Sequence, residues 1–408
     1  MDIGWRRGPF GLDAEKGATV PGLKRVLAVV HHLTAATRLA DVLPLVERDR
    51  RIQVVYTVAP ASVLSGGTAG YLERLGAAVI PWAQATSTAF DLAVAAGNGG
   101  LEQVHAPVLW LPHGVGPHTL IHRWSGHGLP APRPVAGLRP EAIVAGGRVI
   151  PSVIAVAREE HGEEVRRVCP EAAPAIVVTG DPAYDRIAAS VGSRAAFRAA
   201  LGVSPGQRLV LLSSTWGPRS LLGRHPDLPD RLAAELPAHD YRVVVAAHPN
   251  MFTWHGRRQV ESWYSRHGSG LLNPEEGWGG ALIAADLVVG DHGSVTYYSA
   301  ALGVPVVLGA FPDGDVMPGS PVGLLGRVRP RLDLGAPLRG QLEEALGRDG
   351  STTHDVFRAR LTSNPGRSAE ILRRTMYRLL GLSEPGDPAR PAVLPPPRLI
   401  REQGSAAG

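Results

Sequence analysis

The segment Ala284–Ala310 (AADLVVGDHGSVTYYSAALGVPVVLGA) constrains the fold more than any other part of the chain. Leu287-Val288-Val289 is an apolar run of strand length. Asp291-His292-Gly293-Ser294 follows as a tight turn, and Ser294 carries a hydroxyl suited to capping a helix over Val295–Leu302. Pro305–Leu308 opens the next strand. A strand, a turn, a short helix and a second apolar strand form a parallel βαβ unit. Its helix start offers free N–H groups and partial positive charge to a phosphate. Most such turns bind nothing, so the weight falls on what accompanies this one.

The same alternation runs along most of the chain. Apolar strands are expected at Lys24–Val30, Ile52–Val58, Ala77–Pro81, Phe90–Ala95, Val108–Leu111, Val153–Val156 and Ala175–Thr179, with Ile143-Val144 continuing the sheet. Helical stretches lie between them, among them Ala36–Arg48, Gly70–Leu75 and the charged run Glu159–Val168. The pattern restarts with strands at Arg208–Leu212 and Tyr241–Ala247, helices at Asp230–Leu236 and Val260–His267, and then the opening segment. Strands that are apolar on both faces, alternating with helices, belong to parallel sheets covered on both sides. The expected fold is therefore α/β, with two Rossmann-like, doubly wound domains facing a central cleft. The expected divisions are a flexible leader (1–21), a first domain (22–189), a linker (190–207) and a second domain (208–354). A helix over 355–381, crossing the domains, and a Pro/Gly/Ala-rich disordered tail (382–408) complete the division.

Composition narrows the function. At 408 residues, 44% hydrophobic and 19% charged, the chain suits two soluble domains. The formal charge of +5 is modest, and no Lys/Arg block with interleaved aromatics appears, so nucleic acid is not an expected partner. Cys169 is the single cysteine, which excludes an internal disulfide and a cysteine-based zinc site. No apolar run reaches the ~20 residues of a membrane span. The expected setting is cytoplasmic, with peripheral contact at the inner membrane face left open. No GxGxxG follows a strand and no P-loop occurs, so no cofactor is expected. His118 and His122 share a helical spacing but lack the glutamate of HExxH, and no metal is expected.

In doubly wound sheets, ligands sit beyond the carboxyl ends of the strands. Five loops with polar residues fall there: His31-His32, Leu111–Gly114, Ser213–Arg219, His248-Pro249-Asn250 and Asp291–Ser294. His113, before Gly114, can accept a proton from a hydroxyl near neutral pH, or can simply bond a neighbouring loop. Arg219 can neutralise a leaving phosphate, or lie solvated. His248 can donate to a phosphate, or serve only its turn. His31 and His32 are candidates for the acceptor side.

Together these residues resemble the CDP-glycerol glycerophosphotransferases, the teichoic-acid polymerase family, within the wider GT-B fold. Leu111-Pro112-His113-Gly114 is similar to the family's HG motif. Gly180–Asp185 is similar to G-x-P-R-x-D, Ser214-Thr215-Trp216 with Arg219 to P-T-W-R, and His248-Pro249 to the HP pair. Asp286–Tyr297 is similar to the family's A-D-x-x-I-T-D-Y-S-S-V-x-F-D, whose last aspartate falls at Tyr298. The resemblance implies a transferase that uses a nucleotide-activated donor, a CDP-alditol or a nucleotide sugar, and a hydroxyl acceptor. The first domain would take the acceptor, with His113 as base and His31, His32 and Gly114 nearby. The second would hold the donor through Thr215, Arg219, His248, Asp291, Gly293 and Ser294. An inverting, metal-independent displacement would release a nucleoside phosphate or diphosphate. The chain departs from the family pattern at Ala183, Gly293 and Tyr298, and no lysine follows its HG motif. Two alternatives stay open: an enzyme resembling UDP-N-acetylglucosamine 2-epimerase, and a non-catalytic nucleotide-binding scaffold on the same fold.

Overall fold

Apolar residues at consecutive positions of a strand point to opposite faces, so a run such as Val26-Leu27-Ala28-Val29-Val30 must be covered twice. The computed structural model describes residues 4–6, 19–60, 62, 65–116, 118–120, 135, 138–265, 269–348 and 351–400, the side chains of 351 and 352 aside. It divides into two units. Unit 1 comprises Met1–Gly116, Gly137–Asp185 and Ser363–Ala392; unit 2 comprises Pro117–Ala136, Arg186–Thr362 and Val393–Gly408.

Unit 1 contains β1 (Lys24–Val30), β2 (Ile52–Val58), β3 (Val79–Ile80), β4 (Leu92–Ala95) and β5 (Val108–Trp110). The short pair β6 (Val144–Ala145) and β7 (Arg148–Val149) follows, and then β8 (Val153–Val156) and β9 (Ile176–Val178). The seven-stranded sheet has the order β3-β2-β1-β4-β5-β8-β9, and every pairing in it is parallel. Val26, Ala28 and Val30 pack on one face with Leu33, Leu39 and Val42 of the helix Leu33–Val42. Leu27 and Val29 pack on the other with Ile154, Val156 and Val165. Ile143 and Val144 do not continue the sheet. β6 and β7 pair antiparallel with each other as a separate ribbon, because Gly146 and Gly147, both with positive φ, turn the chain back at once.

Unit 2 contains β10 (Arg208–Ser214), β11 (Tyr241–Ala247), β12 (Gly270–Leu271), β13 (Leu287–Gly290) and β14 (Val306–Leu308). The order is β12-β11-β10-β13-β14, all parallel. One face buries Val210, Leu212, Val243, Val245, Leu287 and Val289 against Leu221, Leu232, Val260 and Leu342. Leu209, Leu211, Val244 and Val288 of the intervening positions are also fully buried.

Three expected divisions are corrected. The 190–207 segment is not a linker: its helix Arg194–Ala200 buries Phe197 in unit 2, and Arg194 and Arg198 both bond Asp286 at 2.7 Å. The helix expected over 355–381 is two helices. Ser351–Ala359 belongs to unit 2, while Ser368–Leu380 lays Leu372, Met376, Tyr377 and Leu380 into the core of unit 1. The tail to Ile400 is ordered as an extended strap rather than disordered. Leu394 N–H bonds Ser190 Oγ at 3.0 Å, and Ile400 N–H bonds the Leu271 carbonyl at 2.8 Å. The strap fits because Gly277, Gly279 and Gly280 lack side chains: a Cβ on each would meet Pro397 or Leu394 at 2.8–3.0 Å. Residues 401–408 and most of the leader lie outside the described residues. Residues 118–120, expected within the first domain, belong to unit 2: Leu120 N–H bonds the Asp315 carbonyl and Met317 N–H that of His118. Among the described residues, no helix is long and apolar enough to cross a membrane.

Candidate functional site

Each sheet reverses its winding direction once. In unit 1 the chain runs β1, β2, β3 outward and returns to β4 on the other side of β1. In unit 2 it runs β10, β11, β12 and returns to β13 on the other side of β10. The loops leaving the strands on either side of such a reversal diverge and leave a crevice between them. The expected site residues gather at these two places.

In unit 1, the loop after β4 (Ala96–Gly99) presents carbonyl groups to two histidines. His113 Nδ1 lies 2.7 Å from the Ala96 carbonyl oxygen. A carbonyl only accepts, so Nδ1 carries the proton and the lone pair of the neutral ring is on Nε2. His113 is exposed. His31 is buried, its Nε2 2.9 Å from the Gly99 carbonyl and its Nδ1 without a partner. Burial holds its pKa below the usual histidine value, against the opposing pull of the Gly99 bond. The ring sits so close to Gly97 that a Cβ there would meet Nδ1 at 2.8 Å. His32 serves its own helix, since its Nδ1 accepts the Ala35 N–H at 3.1 Å and caps the 33–42 segment. Its ring also meets His113 edge-on, 4.6 Å between centroids.

Arg38, from that same helix, fixes the His-Gly loop. Its buried guanidinium bonds Asp181 at 3.1 Å and the Gly114 carbonyl at 3.2 Å. Asp181 Oδ1 also accepts the N–H groups of Ala183 and Tyr184, capping the helix Pro182–Ser190. Asp185 accepts from Gly366 N–H at 2.7 Å and from Ser368 N–H and Oγ at 2.9 and 2.5 Å, which anchors the 368–380 helix. Burial raises the Asp185 pKa, opposed by these bonds. Both aspartates of the Gly180–Asp185 motif are thus structural.

In unit 2 the organising group is Asp291. It is wholly buried just beyond β13. Oδ2 accepts the N–H groups of Thr215 at 2.9 Å and Leu221 at 2.8 Å, and Oδ1 that of Gly293 at 2.9 Å. The Ser214 hydroxyl stands at 3.5 Å from Oδ2. Burial pushes the carboxyl up to about 6 against these donors. The sequence places Asp291 among the donor-binding residues; buried and engaged by three amides, it holds the loops instead of facing a ligand. The helix starts at Ser294 with Gly293 at its N-cap and no side-chain cap, so Ser294 is the first helical residue, not the cap. A Cβ on Gly293 would meet Asp291 Oδ1 at 3.0 Å and Thr215 Cβ at 3.2 Å, so a side chain here would press on both neighbours.

Around this hub, Arg219 pairs with Asp315 and carries a positive charge felt by His292. His248 Nδ1 accepts the Asn250 N–H at 3.1 Å as the cap of the helix Pro249–His255, and its ring lies 6.4 Å from that of Trp216. Thr215, Arg219, Asp291, Gly293 and Ser294 are therefore neighbours, with His248 joined through Trp216. Tyr298, at the position where the resemblance implies an aspartate, is buried against Trp278, 5.3 Å between ring centroids. His122 lies outside the described residues, and among those described no group of three His, Cys, Asp or Glu could hold a metal ion.

Sequence reasoning passes over Arg38. Arg38 sits in an amphipathic helix with no local mark of its partner 143 residues away. His292, between Asp291 and Gly293, lies within the motif that the sequence already singles out.

No family model matches the chain, and no curated protein matches it by sequence. Among solved structures, the chain is similar to the wall teichoic acid polymerase TagF in a variant soaked with CDPG. The TM-score is 0.54 at 13% identity, covering 90% of this chain and 91% of that one. Another TagF structure gives 0.53 at 14%, covering 88% and 90%. UDP-GlcNAc 2-epimerase from Neisseria meningitidis, bound to UDP-GlcNAc, gives 0.48 at 13%, covering 87% and 99%. At these identities the likeness to TagF is one of fold: the chain has a GT-B-type α/β fold, with a doubly wound parallel sheet in each unit.

Proposed function

We propose that the chain is a transferase that moves a glycerophosphate or glycosyl group from a nucleotide-activated donor to an acceptor hydroxyl. The donor's phosphates are held in unit 2 by Arg219, His248, Thr215 and the amide end of the 294–301 helix, where N–H groups and arginine favour negative charge. His113 Nε2 takes the proton of the acceptor hydroxyl. The oxygen then forms a bond to the transferred phosphorus or anomeric carbon. The bond to the nucleoside phosphate or diphosphate breaks with inversion, and Arg219 offsets the charge that develops on the leaving group. Arginine, histidine and amides supply the positive charge that the leaving phosphate needs, and no metal takes part in the step. The setting is cytoplasmic, with peripheral contact at a membrane face. The observation that carries this reading is the His113–Ala96 bond, which fixes the tautomer a general base needs on an exposed ring.

A thermal-shift screen against CDP, UDP, GDP, dTDP and CDP-glycerol tests it. A selective rise with one nucleotide identifies the donor class, and no rise with any of them overturns the donor assignment. The scaffold alternative keeps one observation on its side: Arg219 is already paired with Asp315. It predicts nucleotide binding without transfer.

A further inference from the structure

We propose that the corner between the helix Pro249–His255 and the helix Arg257–Tyr264 is a docking surface for an anionic membrane, with lipid phosphates seated in the cleft beside it. This rests on the membrane contact proposed above and names the surface that makes it.

Six consecutive residues at this corner, Trp254–Gln259, are exposed. Trp254 is 53% and Trp263 41% exposed, two of the four exposed tryptophans among the described residues. His255 follows Trp254, and its ring meets Trp263 edge-on, 5.2 Å between centroids. Open indoles grouped at one turn mark an interaction surface. The helix Arg257–Tyr264 commits its buried residues, Val260 and Tyr264, to the core of unit 2. That side is not free to sink into a bilayer. Contact is therefore shallow, with the indoles at headgroup level, where tryptophan is enriched.

An open cleft of about 460 Å³ adjoins the corner. Arg257, Arg258, Glu261, Asn273 and, from the strap, Arg398 line it, all within unit 2. Arg257 pairs with Glu261 at 2.7 Å and approaches Glu275 at 3.7 Å, and Arg398 pairs with Glu276 at 3.3 Å. These carboxylates lie deeper than their partners, 12–35% exposed against 51% and 74%, so the outermost charge is positive. Arg258 is exposed and has no ion-pair partner among the described residues. A guanidinium matches phosphate oxygens with paired N–H groups, and an anionic leaflet attracts each arginine near it. A bilayer accounts for both parts of the surface: its phosphates take the arginines and its interface takes the indoles. A small soluble anion would leave the tryptophans in water. The seven-residue helix that starts beyond His248 ends at this corner, so docking sets the donor-side loop about 10 Å from the headgroups.

Co-sedimentation of the full chain with vesicles tests the surface. Phosphatidylcholine vesicles containing about one-third phosphatidylglycerol should bind it, pure phosphatidylcholine vesicles much less, and added salt should weaken the binding. Arg258→Gln should bind the anionic vesicles about fivefold more weakly. Trp254→Ala combined with Trp263→Ala should lose the blue shift of tryptophan emission that vesicles induce in the wild-type chain. All three positions are exposed, so melting temperatures should stay unchanged. Vesicle binding that is the same in the wild type and in both variants overturns this surface and leaves the membrane contact standing. No vesicle binding by the wild type overturns both, and an oligothymidylate complex that needs the same residues would then make the partner a nucleic acid.

Discussion

The two winding reversals are built from opposite halves of the peptide group. In unit 1, side chains donate to backbone carbonyls: His113 to Ala96, His31 to Gly99 and Arg38 to Gly114. In unit 2, backbone N–H groups donate to one buried side chain, Asp291. The first arrangement orients imidazoles and fixes which nitrogen bears the proton. The second draws loops and a helix start around a carboxylate, and leaves arginines and amides at the surrounding surface. Under the proposed function, the first would handle the acceptor's proton and the second would hold the donor's phosphates. The same βαβ architecture serves both because the chemistry lies in which backbone group is exposed at the strand end.

Removing the imidazole of unit 1 is the sharpest way to break this comparison. His113→Ala should lower transfer by about 10²–10⁴-fold while leaving nucleotide affinity and melting temperature unchanged. Unaltered product formation with that variant would instead make the chain a scaffold.

The matching change in unit 2 should act on stability. Asp291→Ala leaves three buried amides unsatisfied, and urea unfolding should show a loss of about 3–5 kcal/mol. Its pH dependence has a definite sign. The folded-state pKa, about 6, lies above the ordinary aspartate value, so the folded state binds the proton more tightly than the unfolded one. The stabilisation from that proton is full below about pH 4 and lost as pH rises through 6. The wild-type chain should accordingly gain stability relative to Asp291→Asn as pH falls from 7 to 4, and a constant difference across that range would contradict the buried placement.

The smallest effect tests whether the loop after β4 holds the base. Gly97→Ala puts a methyl against His31 at 2.8 Å and should destabilise the fold by about 1–3 kcal/mol. If His31 positions that loop, transfer should fall further than the stability loss explains, with the pH–rate profile shifted through the altered Ala96–His113 bond.

Much of the fold is legible in sequence wherever local pattern decides structure. Lys24–Val30, Ile52–Val58, Tyr241–Ala247 and Glu159–Val168 appear with the bounds their apolar or charged runs suggest. The strand-end loops carrying His113, Thr215 and Asp291 are legible for the same reason. What escapes depends on distant partners. Nothing near Asp291 shows that its carboxylate turns inward to amides of a loop about 70 residues earlier. The strap to Ile400 has neither helical nor strand period, and its order comes from glycines in another segment. The 194–200 helix reads as a linker because its anchor, Asp286, lies far along the chain.

Three separate stretches of chain make up each unit, the last of them 363–392 for unit 1 and 393–408 for unit 2. No single cut or truncation can therefore release either unit whole. During synthesis, the core of unit 1 stays open along the surface that takes Leu372 and Met376 until those residues have been made. A fusion or tag placed inside 368–380 should therefore impair unit 1, and one placed inside 393–400 should impair unit 2.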